Sequence, residues 1–145
     1  QELRQDDLFE PVRVADFLID KDQLFAQQNL DKDEYELYLK VFEHLTIDAP
    51  KPDLVIYLQA PTEVLLNRIQ RRAIAAEQLI ELEYLENLNQ AYTEFFHYYS
   101  RTPLLIVNSA EIDLVHNEDD YKQLVDYISS APNGTQYFNP RPSLL

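Results

Sequence analysis

The sequence predicts an α/β protein with a parallel sheet and helices on both faces. Three short apolar segments, at residues 12–18, 53–59 and 103–109, have the β-branched and aliphatic content of buried strands. Segments with helical spacing separate them, and strands that alternate with helices form parallel sheets. With 46% hydrophobic residues among its 145 positions, the chain is long enough to bury one core.

The helices follow from the spacing of the apolar side chains. This spacing predicts helical regions at residues 20–44, interrupted by a turn and new helix start at 29–33, and at 60–73, 77–99 and 119–129. Pro61 and Glu63 favour a helix start. Prolines, asparagines and the single glycine predict an irregular tail over residues 131–145.

Composition excludes several classes of protein. Twelve basic against 26 acidic residues give a net charge of −14, which argues against nucleic-acid binding. The apolar runs are far shorter than the roughly 20 residues of a membrane helix, so no membrane association is expected. The absence of cysteine excludes disulfides and suits a cytoplasmic location. Only one glycine and no methionine are present, which indicates an unusual protein or part of a longer one.

The strongest local signal is a cluster of three arginines in a strongly acidic chain. Arg68, Arg71 and Arg72 lie at positions i, i+3 and i+4, on one side of a helix, where like charges repel unless an anion is present. The planar guanidinium group suits phosphate because it donates two parallel hydrogen bonds. The alternative is a solvated basic helix end that complements the helix dipole.

The carboxyl ends of parallel strands are the usual ligand edge of such sheets. In this chain those ends fall at Asp16 and Phe17, at residues 59–61 and at residues 108–110. Asp16 is suited to contact a substrate hydroxyl, a base edge or a Mg²⁺-bound water, and its alternative role is a helix cap or surface acid. The histidines have no metal-ligand spacing, and we predict no metal ligand among these residues. No phosphate-binding G-x-x-x-x-G-K-[ST] motif is present.

Residues 68–78 (RIQRRAIAAEQ), followed by L-E-Y-L and Leu88, resemble the lid of the deoxynucleoside kinases. The family pattern is R-I-x-x-R-G-R-x-x-E-Q followed by E-Y-L-x-x-L. Residues 14–26 resemble the third strand and following helix of that family, and residues 104–108 its last strand. The resemblance covers roughly residues 8–130 and implies a thymidylate-kinase-like P-loop kinase fold.

The resemblance implies ATP-dependent phosphorylation of the 5′-hydroxyl of a deoxynucleoside, a reaction of nucleotide salvage. By position, Arg68 and Arg72 match lid arginines that hold the donor phosphates, and Asp16 is the third expected catalytic residue. Glu77 matches the glutamate that reaches the sugar 3′-hydroxyl, and Phe17 is expected to contact the substrate. The residues expected to bind ATP are Arg71 and the adenine loop, which comprises Asn108, Ser109, Ala110, Glu111 and Ile112.

The chain departs from the family pattern at three places. The R-G-R of the lid is here Arg72-Ala73-Ile74, so one arginine and the hinge glycine are replaced. The E-R-S strand end is here Ala15-Asp16-Phe17. The family's first strand, P-loop and catalytic base would precede residue 1. We therefore expect residues 1–130 to be the C-terminal part of a longer kinase, inactive by itself, with the Mg²⁺ ligands mainly outside these residues.

Two other functions remain open at this point. One is a catalytically inactive relative that acts as an interaction module and uses its aromatic helix as a dimer surface. The other is a nucleoside monophosphate kinase, which needs a second set of arginines. We also expect a homodimer, because the apolar stripe over residues 84–99 exceeds the need of a small sheet and the family associates through helices.

Overall fold

The structure is a computed structural model that describes residues 12–16, 18–46, 50–130 and 132–139. It divides into two compact units, residues 1–52 and residues 53–145, and each is described by itself. Within the described residues, no helix combines the length and the apolar character that crossing a bilayer requires.

The first unit contains two helices, α1 (Ile19–Asn29) and α2 (Lys32–Thr46). The predicted break between them is confirmed, because Asp31 starts α2 as a reciprocal cap. Its carboxylate accepts from the Glu34 amide at 2.9 Å, and the Glu34 carboxylate accepts from the Asp31 amide at 3.1 Å. The Tyr38 hydroxyl donates to the Asp22 carboxylate at 2.7 Å and joins the two helices.

The prediction of a strand at residues 12–18 is wrong for residues 12–16 and 18, which form no strand. Phe17 lies outside the described residues. Val12 and Val14 are 73% and 94% exposed. A strand exists only as part of a ladder, because its backbone groups need a neighbouring chain. Among the described residues none pairs with this segment, so its β-branched composition alone does not make a strand.

The second unit is built on a three-stranded parallel sheet in the order β1 (Val55–Gln59), β2 (Leu104–Asn108), β3 (Thr135–Phe138). The first two strands confirm the segments predicted at 53–59 and 103–109. In the register, Val55 pairs with Leu104 and Gln59 with Asn108. The central strand holds the core, since its residues Leu104, Leu105 and Val107 are fully buried.

Helices cover both faces of this sheet, as predicted. The elements are α3 (Thr62–Arg72), α4 (Leu82–Tyr98) and α5 (Glu118–Ser129). On one face, Tyr57 of β1 stacks on Phe96 of α4 at 4.3 Å between ring centroids. On the other face, Leu124 of α5 joins the core cluster of β2 and β3.

The aromatic stripe of α4 is therefore part of the core. Tyr92 and Phe96 stack on Tyr57, and burial raises the pKa of Tyr57 and of Tyr92 above that of a free phenol. The stripe faces the sheet, so it does not supply the surplus apolar surface from which the homodimer was expected. The homodimer itself stays a prediction.

The prediction of a single long helix at residues 77–99 is wrong for its first turn. A short 3-10 turn, Glu77–Leu79, comes first, and Ile80 and Glu81 have extended backbone before α4 begins. The Gln78 amide group donates back to the Ile69 carbonyl of α3 at 3.2 Å. Because this turn is bonded to α3, the chain must change direction before it can start α4.

The tail predicted to be irregular contains β3, so that prediction is wrong for residues 135–138. Gly134 makes the turn into it with φ +64°, and its carbonyl accepts from the Leu104 amide at 2.9 Å. Phe138 is 8% exposed, and its ring centroid lies 5.4 Å from that of Tyr127. The period-2 pattern of this strand is only four residues long, and the neighbouring prolines obscure it.

We predict that Phe138→Ala lowers the free energy of unfolding by about 3–5 kcal/mol, the usual effect of removing a buried phenylalanine. The control is Tyr137→Ala on the same strand, because Tyr137 is 65% exposed and should cost far less. Urea unfolding followed by circular dichroism measures both. Equal losses for the two variants would contradict the packing of β3 on the core.

Candidate functional site

The carboxyl ends of β1, β2 and β3 open into a cavity of about 360 Å³. Its polar lining consists of carboxamides and one phenol, from Gln59, Asn89, Asn108, Asn139 and Tyr137. This is the edge at which the sequence predicts ligands, because residues 59–61 and Asn108 line the cavity. Asn89, which no sequence pattern singled out, donates to the Ala60 carbonyl and to the Thr62 hydroxyl, both at 3.1 Å.

Arg68 of α3 lies at the same edge of the sheet. Its Nη1 donates to the Ser109 hydroxyl at 3.3 Å, and its Nη2 donates to the Ser109 carbonyl. Ser109 is itself bonded to β1, since its amide and its hydroxyl donate to the Gln59 carbonyl at 2.8 and 3.0 Å. The structure thus brings together Arg68, expected to bind the donor phosphates, and Ser109, expected to bind the adenine.

Arg72 and Glu77 bind each other. The Arg72 Nε donates to Glu77 Oε2 at 3.1 Å, and its Nη2 bonds the other carboxylate oxygen. This fork-to-carboxylate contact raises the pKa of the Arg72 guanidinium. The side chain of Arg72 is 61% exposed and that of Glu77 is 25% exposed, so incoming ligands can reach the pair.

Arg71 differs from the other two arginines of the cluster. Among the described residues no hydrogen bond or ion pair joins its side chain to another group, and it is exposed at the last turn of α3. Arg71 is therefore the arginine of the cluster whose guanidinium is free to meet an anion without losing a protein contact.

Ala73 ends α3 in the left-handed conformation, with φ 51° and ψ 32°. It is the one non-glycine residue with positive φ among the described residues. The resemblance places the hinge glycine of the lid at this position. For an L-residue with a Cβ this conformation costs roughly 1–2 kcal/mol, so alanine at this position leaves local strain at the end of α3.

The loop after β2 is anchored at both ends. The Asn108 Oδ1 accepts from the Ala110 amide at 3.2 Å, while Ile112 is 8% exposed and belongs to the core cluster. Asp120, which the sequence analysis missed, is 8% exposed and accepts from the Asp113 amide at 3.0 Å. Glu111 is exposed on the loop. The loop therefore has a fixed backbone at the rim of the site.

The remaining predicted residues lie in the first unit. Asp16 is exposed at a bend, and Phe17 lies outside the described residues. The parts of the chain that the structure describes contain no group of three or more histidines and carboxylates that could hold a metal ion. These residues therefore do not fit a Mg²⁺ ion by themselves, and no step of the chemistry below depends on one.

The fold and the site define a class of protein, an α/β domain with a parallel sheet and an arginine-rich helix beside the carboxyl ends of its strands. A family model for deoxynucleoside kinases matches residues 3–131. The chain therefore belongs to the deoxynucleoside kinase family. Strand β3 lies beyond the matched residues.

The chain is similar to known deoxynucleoside kinases over most of its length. It is 32% identical to deoxyguanosine kinase of Bacillus subtilis (strain 168), over 79% of this chain and 58% of the relative. It is 33% identical to deoxyadenosine kinase of Dictyostelium discoideum, over 87% of this chain and 51% of the relative. The chain therefore spans somewhat more than half the length of these relatives.

The fold of the chain is also similar to that of a solved structure. Deoxyadenosine kinase from M. mycoides with bound dCTP superposes with a TM-score of 0.66 at 27% identity. The superposition covers 78% of this chain and 60% of that structure. The α/β fold expected from the resemblance is confirmed.

We predict that Ala73→Gly raises the free energy of unfolding by about 0.5–1 kcal/mol, because relief of the left-handed strain exceeds the added entropy of the unfolded chain. Ala76→Gly is the matched control, since Ala76 has ordinary helical angles of φ −65° and ψ −29°. There the same change should lower stability by about 0.5–1 kcal/mol. Denaturant unfolding of both variants measures the difference, and a loss of stability in both would contradict the strain at Ala73.

Proposed function

We propose that the whole protein transfers a phosphoryl group from ATP to the 5′-hydroxyl of a deoxynucleoside. The observation that carries this proposal is the arginine cluster of α3, whose Arg68 is bonded to Ser109 at the strand ends, in a member of the deoxynucleoside kinase family. Phosphoryl transfer depends mainly on positioning and on stabilising charge on the transferring group, and clustered guanidinium groups supply that charge.

The free edge of β1 supports a longer catalytic protein. Among the described residues no strand pairs with its outer side, and Ile56 and Leu58, which lie on one face of β1, are 41% and 53% exposed. An open apolar edge needs cover. We place the family's first strand and its phosphate-binding loop at this edge, within the part of the relatives that this chain does not span.

Within this proposal the three arginines divide the donor phosphates among them. Arg68 is fixed at the strand ends by Ser109, whereas Arg72 becomes available when an anion displaces the Glu77 carboxylate. Arg71 has no such contact to lose. The adenine of ATP is assigned to the loop of residues 108–112, whose backbone is held by Ile112 and Asn108.

Glu77 is assigned to the deoxynucleoside. The Glu77 side chain is 25% exposed, and its carboxylate is an acceptor only, so it requires donors. Arg72 supplies them in the free protein, and the sugar 3′-hydroxyl would supply one in the complex. We also assign substrate contacts to Asp16 and Phe17, and we include a cytoplasmic location and a homodimer in the proposal.

The first test is phosphoryl transfer by the whole protein, measured with ATP and each of the common deoxynucleosides. We expect Arg72→Ala to lower kcat by about 100-fold, the usual scale for removing one transition-state charge contact. The KM for the nucleoside should change little, because Arg72 is assigned to phosphate. A wild-type protein without transfer to any deoxynucleoside would contradict the proposed function.

The matched control for Arg72→Ala is Lys122→Ala. Lys122 is also an exposed cation paired with a glutamate, Glu118, at 3.1 Å, but it lies on the surface of α5. Its removal should leave kcat and both KM values unchanged. If Arg72→Ala instead raises the nucleoside KM while kcat holds, Arg72 does not act on the phosphates.

The second test concerns Glu77 and the sugar. A site built around a bond to the 3′-hydroxyl rejects a 2′,3′-dideoxynucleoside, because the carboxylate is then left without that donor. We expect the wild type to discriminate strongly in kcat/KM, and Glu77→Gln to lose activity and much of this discrimination. Steady-state kinetics with a matched pair of substrates measures the ratio. A mutant that keeps the wild-type ratio would assign Glu77 a structural role.

A further inference from the structure

Ser109 occupies an unusual position among the residues of the site. It is 6% exposed, and it is the first residue after β2. Both its backbone and its side chain are bonded to other elements, since its amide and its hydroxyl donate to the Gln59 carbonyl of β1. A buried serine with this many contacts is held in one orientation by its surroundings.

The direction of these bonds matters for Arg68. A serine hydroxyl has one hydrogen, and here that hydrogen is donated to the Gln59 carbonyl at 3.0 Å. The oxygen therefore presents a lone pair to Arg68, whose Nη1 donates to it at 3.3 Å. The Ser109 carbonyl accepts from Nη2 of the same guanidinium.

Two acceptors on one residue thus hold two terminal nitrogens of one guanidinium group. An arginine side chain has several rotatable bonds. If the side chain is free, fixing these bonds when a ligand binds costs free energy. The contact joins residues 41 positions apart in the chain, so it links α3 directly to the ends of β1 and β2. The guanidinium is oriented before any ligand arrives.

We propose that Ser109 is a positioning residue that orients Arg68 for the phosphates of the nucleotide. This inference rests on the proposed function in one respect, namely that Arg68 meets those phosphates. It gives Ser109 a role distinct from direct contact with adenine, because its polar groups are committed to Gln59 and Arg68. It also predicts that Ser109 acts only through Arg68.

The experiment is a double-mutant cycle in the whole protein with Arg68→Ala, Ser109→Ala and the double variant. Isothermal titration calorimetry gives the affinity for ATP and for inorganic tripolyphosphate. We expect Arg68→Ala to weaken both ligands by about 10-fold or more, and Ser109→Ala to weaken both by about 3-fold to 10-fold, because the backbone carbonyl contact remains. The double variant should bind no more weakly than Arg68→Ala.

The control is Thr102→Ala at the opposite, amino end of β2. Thr102 is 9% exposed, and its hydroxyl is hydrogen-bonded to the Tyr99 hydroxyl at 2.7 Å. This variant also removes a buried, bonded hydroxyl, so its melting temperature should fall while its affinity for both ligands is kept. Binding affinity thus separates a positioning role from a merely structural one.

Three results would overturn the proposal. Additive losses in the double variant would mean that Ser109 contacts the nucleotide independently of Arg68. A loss of ATP affinity without a loss of tripolyphosphate affinity would assign Ser109 to the base. Unchanged affinity in Ser109→Ala would mean that Arg68 needs no orientation. Because the cycle measures binding, it gives an answer even if the wild type fails the separate phosphoryl-transfer assay.

Discussion

The central strand β2 is the constraint on which the second unit depends. Leu104, Leu105 and Val107 have no exposed surface, and β2 pairs in parallel on both sides. On one face of the sheet, Leu105 and Val107 of β2 share the core cluster with Leu124 of α5, so a change in the register of β2 would disrupt this layer. Parallel pairing also brings the carboxyl ends of β1 and β3 to the same edge as that of β2. The geometry of the candidate site is therefore a consequence of how this one strand is buried.

Sequence patterns predicted the fold where local signals agree with the tertiary environment. The run that became β2 is apolar because both of its faces are buried, and the break before α2 follows from the Asp31 cap. The run of β1 was expected to be covered on both faces, but Ile56 and Leu58 on one face are 41% and 53% exposed. The strand expected at residues 12–18 fails because strand formation depends on a neighbour, which composition does not report. Strand β3 was missed because four alternating residues are a weak signal among prolines and asparagines.

The sequence predicted which charged residues belong to the candidate site, but not which residues they bond. Three arginines stand out in a chain of net charge −14, and helical spacing places them on one side of α3. That Arg68 bonds Ser109 depends on the packing of α3 against strand ends 41 residues further along the chain. That Arg72 bonds Glu77 depends on the reversal at Ala73, where a side chain sits in a backbone conformation that favours glycine. Neither contact follows from the spacing of residues alone.

Residues 68–77 combine an anchored arginine with an exposed ion pair. Arg68 is bonded to a buried residue of the sheet edge, whereas Arg72 and Glu77 form an exposed pair, and exposed pairs contribute little to stability in water. Under the proposed function, a phosphate that binds Arg72 leaves the Glu77 carboxylate without its donors. A sugar hydroxyl restores one of these donors. Binding of the phosphate thus frees Glu77 for the sugar, and binding of the sugar frees Arg72 for the phosphate. Because such coupling is reciprocal, a lid of this design favours the state in which both substrates are bound.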